Sequence, residues 1–139
     1  MVEIELEYEG ALHTMATHGP SKSVLATDAP KDNHGRGEAF SPTDLLATSL
    51  GACMLTVMGI SARRDETDLA GTRAHVEKHM TVEAPRRVRR LVVAVVVPAE
   101  KGARISGERR RELEQIAENC PVRLSLNPAI EVATSYRWD

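Results

Sequence analysis

Two residues in this chain stand out for their chemistry: Cys53 and Cys120, its only cysteines. Cys53 lies inside residues 45–62, a run of 18 residues without a charged side chain. Cys120 ends a charged amphipathic segment and is followed directly by Pro121. A thiol in such places has three chemical fates. It can be an inert, buried apolar residue, since free cysteine is among the most buried types. It can ligate a metal, or it can pair with a second thiol in redox chemistry. Zinc usually takes four ligands, commonly supplied in closely spaced pairs. The only such spacing here is His75 and His79, on a predicted strand. Residues four apart on a strand share a face but stand too far apart for easy chelation. They read as solvent-facing, and no metal or other cofactor is expected. Inert thiols and a redox pair both remain open from spacing alone.

Other charged candidates are weaker. Arg36 sits in the loop His34-Gly35-Arg36-Gly37-Glu38, where glycines let the backbone carry a guanidinium close to a neighbour. Asp44 has a structural role to hand, as a helix cap and dipole partner. The arginines at 86–87, 89–90 and 109–111 resemble a nucleic-acid patch in isolation. The first four flank a hairpin turn, and the last three are spread round a helix among Glu108, Glu112 and Glu114. They read as solvated faces.

The elements that must position these residues are legible in outline. Residues 2–8 alternate with a period of two, with acids on one face. A turn at Glu9-Gly10, a strand over 11–17 and a third over 21–27 follow. Residues 28–39 form a Gly-, Pro- and Asp-rich loop. Ser41, Pro42 and Asp44 mark a helix start: N-cap, first-turn proline and capping-box acid. That helix is predicted to run to about residue 64. Leu46, Leu50, Cys53, Val57 and Ile60 recur on one face, with Cys53 at its centre. Residues 72–82 and 88–97 read as paired strands, the second buried on both faces. Ser106 caps a second helix over 107–119, with Leu113, Ile116 and Ala117 inward. Pro121 holds Cys120 extended and ends that helix. One more helical turn over 122–126 precedes a last strand over 130–138. The predicted order is β-β-β-α-β-β-α-β, an α+β class with mostly antiparallel sheet, in a single domain over residues 1–139.

Bulk composition narrows the function classes. With 18 basic against 20 acidic residues, a general nucleic-acid binder is not expected. The four aromatics, Tyr8, Phe40, Tyr136 and Trp138, are too few for a base-stacking surface. The uncharged run approaches the length of a membrane span, but Thr, Ser and Gly dilute it. A helix apolar on most sides is more often the buried centre of a protein. No charged-then-apolar signal opens the sequence, which predicts a cytoplasmic protein. In a reducing compartment a two-cysteine disulfide would be transient or catalytic.

Two motifs taken together resemble the OsmC/Ohr superfamily. One is Ser41-Pro42-Thr43-Asp44-Leu45-Leu46 followed by Ser49-Leu50-Gly51-Ala52-Cys53. The other is Asn119-Cys120-Pro121-Val122 before a last strand. The order of elements agrees over nearly the whole chain. The resemblance implies an intertwined homodimer with its central helices buried between subunits. It implies a thiol peroxidase for alkyl or lipid hydroperoxides, with Cys53 as peroxidatic and Cys120 as resolving thiol. An external dithiol would then reduce the Cys53–Cys120 disulfide. Because the thiolate is the nucleophile, a cation must stabilise it. In the family a loop arginine before the helix does this, and Arg36 is the best match, with Asp44 as its orienting acid. Thr43 stands where the most active branch has a glutamate, and the proline–any residue–acid order looks more like the OsmC-like branch. Two alternatives accompany this reading. One is a binding or carrier module for an apolar or sulfur-containing ligand. The other is a thiol enzyme acting on another electrophile, such as a persulfide.

Overall fold

A computed structural model describes residues 1–139. The chain divides into two compact units, Met1–Leu46 and Ala47–Asp139. The first turn of the long helix belongs to the first unit and the rest of it to the second.

The first unit is a three-stranded antiparallel meander, ordered β1 (Ile4–Gly10), β2 (His13–His18), β3 (Val24–Asp28). Period-two patterning makes these strands, as expected, with ends shifted by one to three residues from the sequence reading. Strand β1 places Ile4, Leu6 and Tyr8 on one face, and all three are exposed. The loop after β3 is tied back to the sheet, because Asp28 N–H donates to Phe40 O and Ala29 N–H donates to Leu12 O. Gly35 is required there. A Cβ at that position would sit 1.7 Å from the carbonyl oxygen of Ala29.

The second unit holds the hydrophobic core. Its sheet is ordered β4 (Arg73–Met80), β5 (Val88–Val96), β6 (Glu131–Arg137). Strands β4 and β5 are antiparallel, whereas β5 and β6 are parallel, joined by a helical crossover. The valine-rich β5 is central, but it is not equally buried on both faces. Val88, Leu91, Val93 and Val95 are buried, while Val92, Ala94 and Val96 on the other face are only half-buried. The crossover contains a short helix α2 (Ala99–Gly102) directly after Pro98, then α3 (Gly107–Glu118) and α4 (Pro121–Ser125). Ser106 caps α3 by accepting from Arg109 N–H at 3.2 Å.

Helix α1 (Pro42–Ala62) begins where the capping signals place it. Ser41 N–H donates to Asp44 Oδ2 at 2.8 Å, and Asp44 N–H donates back to Ser41 Oγ at 3.1 Å, a reciprocal capping box. The buried face differs from the expected one. Ala47, Leu50, Gly51, Met54, Met58, Ser61 and Ala62 are covered, whereas Cys53 lies on the flank and Ile60 is 55% exposed. The cause is close approach to the sheet. A Cβ on Gly51 would come within 2.8 Å of Val76 Cγ2, so the small residues turn inward. By length and composition the stretch Pro42–Asp65 would also cross a membrane. Its covered stripe packs on β4, where Gly51 faces Val76 and Ala74.

The triplet at 109–111 is also not a uniformly solvated face. Arg109 pairs with Asp65 at 2.8 Å and donates to Ser61 O at 3.0 Å. Arg110 lies 5.8 Å from the centre of the Trp138 ring and donates to the carbonyls of Gly102 and Ile105. Long-range partners turn both guanidinium groups into ties between α3 and the chain on either side of it.

Candidate active site

Cys53 rides on the flank of α1, one residue before the buried Met54. Cys120 follows α3 in an extended conformation, φ −66° and ψ 150°, as the residue before a proline should. It caps α4, with Sγ accepting from Arg123 N–H at 3.5 Å. Its backbone is fixed on both sides: its N–H donates to Ala117 O at 3.2 Å, and its carbonyl accepts from Leu124 N–H at 3.1 Å.

The two thiols, 67 residues apart in sequence, are brought together by this packing. Their side chains lie close enough for the state of one sulfur to act on the other. Both are free thiols. Their surroundings differ: Cys120 is fully buried, while Cys53 is partly open to solvent. Burial, above all, pushes the Cys120 thiol up, and the neighbouring Cys53 acts in the same direction; the Arg123 N–H bond opposes it. Cys120 therefore keeps its proton, and its neighbour is the more accessible sulfur.

The segment around Cys120 carries a polar group that the sequence reading missed. Glu118 Oε1 accepts from Tyr136 Oη at 2.7 Å, and Glu118 Oε2 lies 2.6 Å from Arg123 Nη1. The residues come from α3, β6 and α4. Burial, then the Glu118 carboxylate, pushes the Tyr136 hydroxyl strongly up, so it stays a donor. The only local signal in the sequence was an acid and an arginine astride Cys120.

The other expected site residues are in the first unit. Arg36 is exposed in its glycine-flanked loop, and its charge helps to hold the Asp28 carboxyl down. The larger cause there is His13, whose Nδ1 is 2.5 Å from Asp28 Oδ1; Glu38 N–H donates to Oδ2 at 3.0 Å. Asp28 thus pins both the β2–β3 pair and the loop carrying Arg36. Asp44 and Ser41 form the capping box, and Thr43 Oγ1 is 3.2 Å from Ser41 Oγ. His75 and His79 flank Glu77 on the exposed side of β4, with His79 Nε2 at 3.1 Å from Glu77 Oε2.

The model of the OsmC-like protein family matches residues 35–135, which include both cysteines and the capping box. The chain belongs to the OsmC-like family. A crystal structure from Psychrobacter arcticus 273-4, provisionally named an osmotic stress induced and detoxification response protein, is 42% identical. The alignment covers 99% of this chain and 96% of that one, with a TM-score of 0.90. More distant members share the fold. An organic hydroperoxide resistance protein OsmC from Legionella pneumophila is 15% identical, with coverage of 99% and 96% and a TM-score of 0.75. An organic hydroperoxide resistance protein from Vibrio cholerae, assigned provisionally and carrying captopril in one of its active sites, is 18% identical. Its coverage is 98% and 90% and its TM-score 0.74. A search of curated proteins returns no match.

Proposed function

We propose that this OsmC-like protein reduces organic hydroperoxides with Cys53 and Cys120. The observation that carries the reading is the proximity of a partly accessible thiol to a buried, protonated one. The names of structural relatives from Legionella and Vibrio point to the same substrate class.

The Cys53 thiolate attacks the distal oxygen of the hydroperoxide; the O–O bond breaks, the sulfur is oxidised to sulfenic acid, and the alkoxide leaves as alcohol after taking a proton. The Cys120 sulfur then attacks Cys53. An S–S bond forms, the S–O bond breaks, and hydroxide leaves with the Cys120 proton as water. An external dithiol returns both thiols by exchange and is itself oxidised. The order of the thiols follows from access and protonation, since the nucleophile must meet substrate and the resolver must wait. Arg36 supplies the cation that holds the Cys53 thiolate, because a guanidinium stays charged even when dry. Asp44 orients it from the first turn of α1, with Thr43 in the glutamate position of the family's most active branch.

The active form in this reading is a homodimer. Two apolar surfaces support it: Ile4, Leu6 and Tyr8 on β1, and the Val57–Ile60 flank of α1 beside Cys53. Monomers seldom leave such faces open. The cover would also give an apolar setting to an alkyl chain, favouring organic over hydrogen peroxide.

The test is turnover. With a dithiol reductant, the protein should consume an alkyl hydroperoxide, releasing one alcohol per disulfide formed. A protein that leaves hydroperoxide intact yet oxidises readily with a persulfide would replace this reading by the other thiol chemistry.

A further inference from the structure

We propose that Glu118, Arg123 and Tyr136 form a clamp that positions Cys120 for bonding to Cys53, making Glu118 a determinant of how readily the disulfide closes. This inference rests on the two-thiol reading and names residues which that reading leaves idle.

The geometry is specific. Glu118 is the last residue of α3, Arg123 lies within α4, and Tyr136 is on β6 opposite Val95. One carboxylate joins all three, through the 2.7 Å bond from Tyr136 Oη and the 2.6 Å ion pair with Arg123. Cys120 lies in the joint between the two helices that this carboxylate spans. Arg123 holds it from both ends, its amide on Cys120 Sγ and its guanidinium on Glu118. The pair is partly shielded, with side-chain exposures of 26% for Arg123 and 29% for Glu118. Partial burial keeps such a pair from the near-zero worth of an exposed one.

A disulfide needs its sulfurs at about 2.05 Å and its Cβ atoms at about 3.8 Å. Two neighbouring free thiols must therefore close further on a defined path. A joint fixed to α3, α4 and β6 limits the directions in which Cys120 can wander. Restricted motion of this kind raises the effective concentration of one reacting group at the other. Pro121 alone does not supply it, because proline restrains the backbone before it and leaves the angle between α3 and α4 free.

The experiment measures the disulfide equilibrium of the whole protein against reduced and oxidised glutathione, with no hydroperoxide present. Glu118→Gln keeps the shape and removes the charge. Tyr136→Phe removes one hydroxyl and retains the ring. Glu131→Gln, which breaks the 3.5 Å pair between β6 and Arg90 of β5, is the control for general loosening. The clamp predicts a loss of about tenfold in the equilibrium constant for Glu118→Gln, which weakens both contacts of the carboxylate, and about threefold for Tyr136→Phe, which removes one of them. Glu131→Gln should stay within about twofold, as expected of an exposed ion pair. After oxidation by one equivalent of hydroperoxide, Glu118→Gln should also accumulate more trapped Cys53 sulfenic acid than wild type. Equal equilibrium constants for wild type, Glu118→Gln and Tyr136→Phe would overturn the clamp, as would an equal loss in Glu131→Gln. A clamp-dependent equilibrium in a protein inert to hydroperoxide would instead overturn the proposed substrate and leave the clamp standing.

Discussion

The two cysteines occupy unlike regions. Around Cys120 the chain is closed: the sulfur is fully buried, the backbone is bonded on both sides, and a carboxylate ties the flanking helices to β6. Around Cys53 the helix is regular but its flank is open, from the partly exposed thiol to Ile60. The contrast teaches how one fold can give two neighbouring thiols unlike settings. In the proposed mechanism the sulfur that meets substrate is the one on the open side of α1, and the sulfur that waits is the one buried where its proton is retained.

The largest effects should come from removing either sulfur. Cys53→Ser should abolish hydroperoxide consumption. Cys120→Ser should permit a single oxidation and then stall at sulfenic acid or proceed to sulfinic acid, read by intact mass. Loss of the first oxidation in Cys120→Ser alone would reverse the comparison.

A smaller effect sharpens the open side. Ile60→Glu places a charge on the exposed flank of α1. It should shift the protein from dimer to monomer by light scattering while leaving the monomer folded. By contrast Leu91→Ala, at a fully buried core position in β5, should cost about 2–5 kcal/mol of stability and leave the association surface untouched. A monomeric wild type at micromolar concentration would contradict the covered-flank reading.

Replacing the loop cation should act on one thiol only. Arg36→Met is expected to slow alkylation of Cys53 by iodoacetamide by roughly tenfold, because a nearby cation favours the thiolate. Cys120 labelling should be unchanged. Equal Cys53 rates in both proteins would remove Arg36 from the role.

The smallest expected effect is the pH dependence of stability. Asp28 is held below its usual 3.8, chiefly by its bond to His13. The folded state therefore binds fewer protons than the unfolded chain near that value. Its contribution is present above the unfolded value and is lost as pH falls through the acid range. Cys120 is raised, so its contribution is fully present below the ordinary thiol value and is lost as pH rises above it. In Asp28→Asn the acid limb of a melting-temperature profile should flatten while the alkaline limb stays. In Cys120→Ser the alkaline limb should flatten.

Much of this arrangement could be read from the sequence where the determinants are local. Ser41, Pro42 and Asp44 announced the start of α1, and Pro121 announced the extended Cys120 and the break between α3 and α4. Which side of α1 is buried could not be read in the same way. A helix apolar nearly all round has no single strong face, and the choice fell to Gly51, whose missing side chain admits Val76. Arg109 and Arg110 resembled a solvated surface because their partners, Ser61, Asp65 and Trp138, are distant in sequence. Glu118 and Arg123 escaped notice because the break between α3 and α4 destroys the helical spacing that would have paired them. Tyr136 met them only through the crossover that places β6 beside β5.

The most direct measurement is mass spectrometry of the reduced protein after one equivalent of an alkyl hydroperoxide, with free thiols then alkylated and the peptides mapped. The account predicts loss of two hydrogens, an intramolecular Cys53–Cys120 link, no alkylation at either residue, and one equivalent of alcohol. Two freely alkylated cysteines beside unconsumed hydroperoxide would contradict it.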